Sequence, residues 1–253
     1  MILEEFDSNK KAIINPEEII EKIPDFPRVG VSCFSIALFE RIVDILKPDK
    51  IAKTGTASTR VTIYEITYHD VKIAFYMSPV GAPACAAVYE DLIAMGLEKL
   101  VLFGTCGVLD RTIADCSIII PTAAVRDEGT SYHYMPASDE IRVNNKGIDI
   151  FNEILSKHHY SYTEGKVWTT DGCYRETREK LEKRKSMGCI CVDMECSAMA
   201  AVATFREREL FHFFYAADNL DSDNWDARSL GNLVKLDEKE KIALLALEMA
   251  TKF

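Results

Sequence analysis

Apolar residues along this chain alternate between two rhythms, short unbroken runs and longer stretches at helical spacing, with turn-forming residues between them. Residues 28–34 predict a first strand. Residues 36–46 predict a helix with one apolar face, stopped by Lys47-Pro48. Two strands follow over 61–68 and 71–77, joined by a turn at His69-Asp70. The run Pro79-Val80-Gly81-Ala82-Pro83-Ala84 breaks the second strand and opens a helix over 85–95, which Gly96 closes. Residues 100–103 predict a buried strand feeding Gly104, and 116–121 another continuous apolar run. Beyond it the pattern predicts a helix over 148–158, a strand over 161–168, a charged surface helix over 175–186 and a short buried strand over 188–192. A helix of small side chains over 197–203, a strand over 211–217 and a closing helix over 237–251 complete the chain. Strands alternating with helices imply a mostly parallel sheet covered on both faces. No repeat, linker or low-complexity tract interrupts the pattern.

With 253 residues, 48% of them hydrophobic, the chain is long enough to bury one large core, and 1–253 reads as a single α/β domain. A net charge of −10 argues against nonspecific binding to nucleic acid or to an anionic membrane, both of which need a basic surface. A small anionic substrate therefore needs local basic groups. Of the eight cysteines, Cys33, Cys106, Cys189, Cys191 and Cys196 lie among apolar or small residues, the setting of buried reduced thiols, and this predicts a cytoplasmic location. Cys189-Ile190-Cys191 is not a C-x-x-C, and no His/Cys spacing matches a zinc site. The first residues carry no basic stretch followed by an apolar core, and no apolar run approaches a membrane span.

The segment Val192-Asp193-Met194-Glu195-Cys196-Ser197-Ala198 places an acidic pair around a methionine, between a strand and a small-residue helix. A carboxylate at such a turn, here Glu195, can accept two hydroxyl hydrogen bonds at once, each strengthened by its charge. The alternative is that Asp193 and Glu195 only favour the first turn of the helix through its dipole. In Gly104-Thr105-Cys106-Gly107 the glycines permit close backbone approach to a ligand and the Thr105 hydroxyl can donate to a phosphate oxygen; an ordinary strand-to-loop turn is the other reading. Gly81, between two prolines, offers a second close approach or simply opens a helix. Asp218 begins an acidic run to Asp226, and is either a pocket carboxyl or part of a solvated loop.

Taken in order, these blocks resemble the nucleoside phosphorylase and nucleosidase superfamily. Val192 to Ala198 is similar to its V-E-M-E-A-A signature, Phe103 to Leu109 to its G-T-x-G turn, and Ala216-Ala217-Asp218-Asn219-Leu220 to its late S-D motif. Two further blocks, 126–134 and 168–177, resemble the uridine-phosphorylase-like branch, and the likeness runs from about Lys72 to Trp225. It implies a single-domain α/β/α sandwich around a mixed, partly barrel-like sheet. The implied activity is that of a nucleoside phosphorylase in salvage, releasing a free base and ribose 1-phosphate. Inorganic phosphate would be the co-substrate, with no metal or organic cofactor, in a homo-oligomer, hexamer or dimer. Carried over by position, Glu195 holds the 2′ and 3′ hydroxyls, with Met194 packed on the sugar and Asp193 beside it. Thr105, Gly104, Gly81 and Arg60, the last from a neighbouring subunit, surround phosphate. Arg175, Asp218, Cys106 and Gly107 surround the base, and Asp218, when protonated, donates to N7 of a departing purine. Glu195 and Asp218 are the catalytic pair.

The chain also departs from the superfamily pattern. Leu102 stands where phosphorylases carry an arginine two residues before the first glycine of G-T-x-G. Val31-Ser32-Cys33-Phe34-Ser35 has neither the glycine-aspartate-proline nor the arginine of their first phosphate loop. Two bidentate phosphate contacts are thus missing, and Ser32 and Ser35 offer only neutral donors. That departure favours hydrolysis by a nucleosidase, although residues 28–35 contain no glutamate to activate water. A noncatalytic nucleoside-binding protein is the third reading. Asp218 points to purines, whereas the blocks around Gly129 and Tyr174 point to the uridine-like branch. Arg126 and Asp127 read as structural, and His133 as an interface histidine.

Overall fold

A computed structural model describes residues 2–144 and 146–253. Its helices and strands run α1 (Pro16–Ile19), β1 (Val29–Cys33), α2 (Ile36–Leu46), β2 (Asp49–Gly55), β3 (Arg60–Tyr68), β4 (Val71–Met77) and α3 (Ala82–Met95). They continue as β5 (Lys99–Val108), β6 (Ile118–Asp127), β7 (Glu140–Arg142), α4 (Ile148–Lys157), β8 (Tyr162–Thr170) and α5 (Arg178–Ser186). The last four are β9 (Cys189–Asp193), α6 (Cys196–Phe205), β10 (Glu209–Asn219) and α7 (Leu236–Lys252).

Local chemistry explains most boundaries. The Ser35 hydroxyl oxygen accepts the Leu38 N–H at the start of α2, and Lys47 adopts a left-handed conformation at its end, ahead of Pro48. His69 and Asp70 both have positive φ, the geometry of the two-residue hairpin turn that joins β3 to β4. α5 begins at Arg178, three residues later than the sequence pattern predicts, because the Thr177 hydroxyl caps it by accepting the Lys180 N–H. Residues 173–175 form a separate single turn. β2, unpredicted, is a polar edge strand with no buried residue, so it carries no apolar signature.

The ten strands form one sheet whose pairings are evenly divided, five parallel and five antiparallel. The expectation of a mostly parallel sheet is therefore corrected to a mixed one. β5 is the hub, pairing with β1, β9 and β10. Through β9, β8, β6 and β10 the hydrogen bonds return to β5 and close a five-stranded barrel. The remaining strands extend from it as the open wing β1-β4-β3-β2. On one side α2, α4 and α7 bury Leu38, Ile42, Phe151 and Ile242 against a cluster that includes the stacked rings of Phe103 and Phe213, 5.4 Å apart. On the other side α3 and α6 pack through small side chains, and Cys196 to Ala203 are all buried. Each large apolar side chain so covered contributes on the order of 1.5–3 kcal/mol. No helix of the described residues is long and apolar enough to cross a membrane.

Candidate functional site

The carboxyl ends of β5, β9 and β10 open into a pocket of 660 Å³. Open α/β sheets place ligands at this end, where loops and helix starts converge. Its floor is the turn between β9 and α6. There Asp193 Oδ2 accepts the backbone N–H groups of Glu195, at 2.9 Å, and Cys196, at 2.7 Å, while Oδ1 accepts the Thr169 hydroxyl at 2.7 Å. The Thr169 oxygen in turn accepts the Ser197 N–H, and the Ser197 hydroxyl donates to Glu128 at 2.8 Å. This buried chain of hydrogen bonds braces the turn. Asp193 lines the pocket, and with Oδ2 taken by two backbone N–H groups and Oδ1 by the Thr169 hydroxyl it holds the turn that carries Glu195.

Glu195 is 6% exposed, and its Oε1 accepts the Gly81 N–H at 2.6 Å. Burial raises its pKa, and the nearby Asp193 charge adds to the shift. Gly81 has φ +100°, which disfavours any side chain there, and its N–H is spent on Glu195. It does not line the pocket, and its N–H meets the Glu195 carboxylate where a contact with phosphate was expected. Met194 lies beside Glu195 in the pocket wall.

Gly104 to Gly107 lie inside β5, not on a turn after it. A Cβ on Gly104 would sit 2.7 Å from the Phe34 ring, and one on Gly107 would sit 2.4 Å from Leu220 and 3.2 Å from Asp218 Oδ1. These glycines make room for side chains that shape the pocket. Thr105, Cys106 and Gly107 line it, whereas Gly104 stands behind Phe34 and does not. Arg60 is exposed at the start of β3 and Arg175 ends the turn before α5; neither lines the pocket.

At the far wall, a bulge between Ala216 and Asp218 shifts the register of β10 against β5 and brings Asp218 opposite Gly107. Asp218 Oδ2 accepts the Trp225 indole N–H at 2.8 Å. Burial raises the Asp218 pKa, and the Trp225 bond offsets part of the rise. Glu176, which motif reasoning passed over in favour of its neighbour Arg175, shares this wall. Burial, then the charge of Asp218, push it up to about 7. Arg178 is the pocket's one lining cation among the described residues, and its guanidinium donates to the carbonyls of Leu220, at 3.2 Å, and Ser222, at 2.6 Å. At the other end, Leu102 is fully buried and the Ser32 and Ser78 hydroxyls bond each other at 2.7 Å. Arg126 and Asp127 are structural: Arg126 donates to Ser131, Ser138 and the Pro136 carbonyl, while Asp127 accepts from Trp168 and Lys180. His133 is exposed.

A mixed sheet closed in part into a barrel, with an open wing and helices on both sides, is the architecture of the nucleoside phosphorylase fold. The chain belongs to the Phosphorylase superfamily, whose profile matches residues 28–247. It is 22% identical over 171 residues to a guanosine phosphorylase of Halorubrum lacusprofundi, covering 65% of this chain and 67% of that one. It is 26% identical over 145 residues to a DeoD-type purine nucleoside phosphorylase of Bacillus cereus, covering 54% and 59%. The matched part of the chain thus spans about three fifths to two thirds of these relatives' length. In structure it is similar to the uridine phosphorylase from Vibrio fischeri, with a TM-score of 0.73 at 19% identity over 93% of this chain and 100% of that one. It is also similar to a futalosine hydrolase mutant of Helicobacter pylori, with a TM-score of 0.71 at 15% identity over 90% and 100%. At these identities the structural likeness establishes the fold, and phosphorylases and a hydrolase share it.

Proposed function

We propose that this chain cleaves the N-glycosidic bond of a purine nucleoside, transferring the sugar to inorganic phosphate. The observation that carries the choice of base is the acidic far wall: Asp218 and Glu176 stand together there, while Arg175, the group suited to a departing uracil anion, does not line the pocket. A purine presents an N7 acceptor and, in its 6-oxo forms, a ring N–H donor, and the wall offers a carboxylic acid for the first and a carboxylate for the second. Glu195, its pKa raised to about 8 by burial, is drawn to the ionised form as the 2′ and 3′ hydroxyls donate to it, while Met194 covers the sugar. As positive charge develops on the ribose, the C1′–N bond breaks and its electron pair passes to the base. Protonated Asp218 delivers its proton to N7, and a phosphate oxygen beside Thr105 forms the new bond to C1′.

Phosphate needs a cation, and the end of the pocket near Thr105 has none among the described residues. Arg60, exposed and outside its own chain's pocket, would serve a neighbouring copy in a homo-oligomer, so this reading includes assembly. The eight cysteines are unpaired, six of them buried, which supports a reducing cytoplasmic setting. The absence of a lining cation near Thr105 is also the specific observation that favours a second reading, hydrolysis by water. Turnover of inosine or guanosine in ¹⁸O-labelled water with phosphate present decides between them. Unlabelled ribose 1-phosphate is the expected product, and free ribose carrying the label on C1 would make the enzyme a nucleosidase.

A further inference from the structure

The interior of the barrel holds a group of donors that the reaction does not use. Asp193 on β9, Cys196 at the first position of α6 and His212 on β10 are all buried, and one ligand atom from each lies within 4.8 Å of the other two. His212 is 0% exposed, and neither of its ring nitrogens has a hydrogen-bond partner in the structure. A buried imidazole left unbonded at both nitrogens is costly and calls for an occupant. Cys106 and Cys191 lie in the same apolar cluster as Cys196, so the surroundings are rich in sulfur. Asp193 and Cys106 also line the nucleoside pocket, and the donor group lies directly behind the pocket floor.

We propose that Asp193, Cys196 and His212 form a binding site for one thiophilic divalent cation, zinc by its donor set, in the barrel wall behind the Glu195 turn. One thiolate, one carboxylate and one neutral imidazole balance the charge of a divalent ion, so the assembled site is neutral, as a dry interior requires. Burial holds the imidazole neutral, pushing its pKa down to about 3, and neutral is the form that binds metal. The Cys196 thiol gives up its proton on binding. Tetrahedral zinc spaces its donors about 3.3–3.8 Å apart, given bonds of 2.0–2.3 Å, so the side chains close on the ion by modest rotation. Asp193 Oδ1 receives a single hydrogen bond and keeps a lone pair for the purpose. The ion would brace the turn that carries Glu195, a structural role separate from bond cleavage and independent of which nucleoside is cleaved. Sequence spacing does not show the site, because the aspartate and cysteine, three positions apart, make no recognisable pair without the histidine, which comes from the following strand.

The test is titration of reduced, metal-stripped full-length protein with cadmium, followed by thiolate-to-cadmium charge-transfer absorption and then by displacement with zinc. One equivalent is expected, with a rise in Tm, and affinity falling on the order of 100-fold or more in both Cys196→Ala and His212→Leu. Cys173→Ser, which removes an exposed thiol, is expected to bind as the wild type does. X-ray absorption of the wild-type zinc complex adds a reading that needs no variant, with one sulfur among nitrogen and oxygen donors expected. Absence of the absorption band in the wild type, its persistence at full strength in either variant, or a shell of oxygen alone would overturn the proposal and leave His212 to an internal water.

Discussion

The Glu195 end and the Asp218 end of this pocket, the sugar end and the base end in the proposed function, are built by different means. At the sugar end, Asp193, Thr169, Ser197 and Glu128 form a continuous buried chain of hydrogen bonds, and Glu195 is gripped a second time by the Gly81 N–H. At the base end, Asp218 takes its indole bond from Trp225, which is 62% exposed on the loop after β10, and Tyr174 nearby is 97% exposed. One end is preorganised by secondary structure, and the other is closed by loops. The difference suits a reaction whose sugar is constant while the base is what the enzyme selects. Substitutions at the sugar end should therefore damage every substrate alike, and those at the base end should discriminate among them.

The largest effect expected is from Glu195→Ala. Two charge-assisted hydroxyl contacts at about 1.5–3 kcal/mol each correspond to a loss of roughly 10²- to 10⁴-fold in kcat/KM, equal for all nucleosides. Steady-state kinetics on a purine panel, with circular dichroism to confirm folding, checks it. A loss confined to one base would contradict the division of labour. Asp218→Asn should slow purine cleavage by about 10²- to 10⁴-fold. If Asp218 acts in its protonated form, as proposed, its raised pKa predicts a wild-type rate that falls as pH rises through that pKa, and the variant should lose this limb of the profile.

Smaller effects sharpen the same contrast. Thr169→Val removes a donor to Asp193 and an acceptor for Ser197, and should cost about 1–3 kcal/mol of stability together with turnover on all substrates. Thermal unfolding and kinetics measured on the same sample read both. Glu176→Gln should act on stability in a pH-dependent way. A carboxyl raised to about 7 in the folded state binds its proton more tightly there than in the unfolded chain, so its stabilising contribution is full at acid pH and is lost as pH rises through about 7. The glutamine variant should match the wild type near pH 5 and exceed it near pH 8 by roughly 2–4 °C in Tm, the size of about 1 kcal/mol in a domain this large. Equal differences at both pH values would remove Glu176 from the acidic wall.

The same contrast governs what was legible from the residues alone. The helix over 36–46 is found at its true boundaries because Ser35 and Lys47-Pro48 mark both ends chemically. Glu195, Met194, Thr105 and Asp218 come together in one pocket because each belongs to a local motif at a strand end. The acidic wall was not legible, since Glu176 and Asp218 meet only through the fold and the charged residues around 175 have no apolar period to show where α5 begins. Gly104 to Gly107 read as a turn because glycine usually signals one. In the barrel they are strand residues made small by Phe34, Leu220 and Asp218 on the facing side, a reason visible only in three dimensions.

The most direct test of the central claim, an acid-lined purine site above a fixed ribose turn, is kcat/KM for inosine and for uridine with phosphate present, in wild type and in Asp218→Asn. The wild type is expected to prefer inosine strongly, and the substitution to erase most of that preference by slowing inosine alone. Preferential cleavage of uridine at a rate untouched by Asp218→Asn would contradict it.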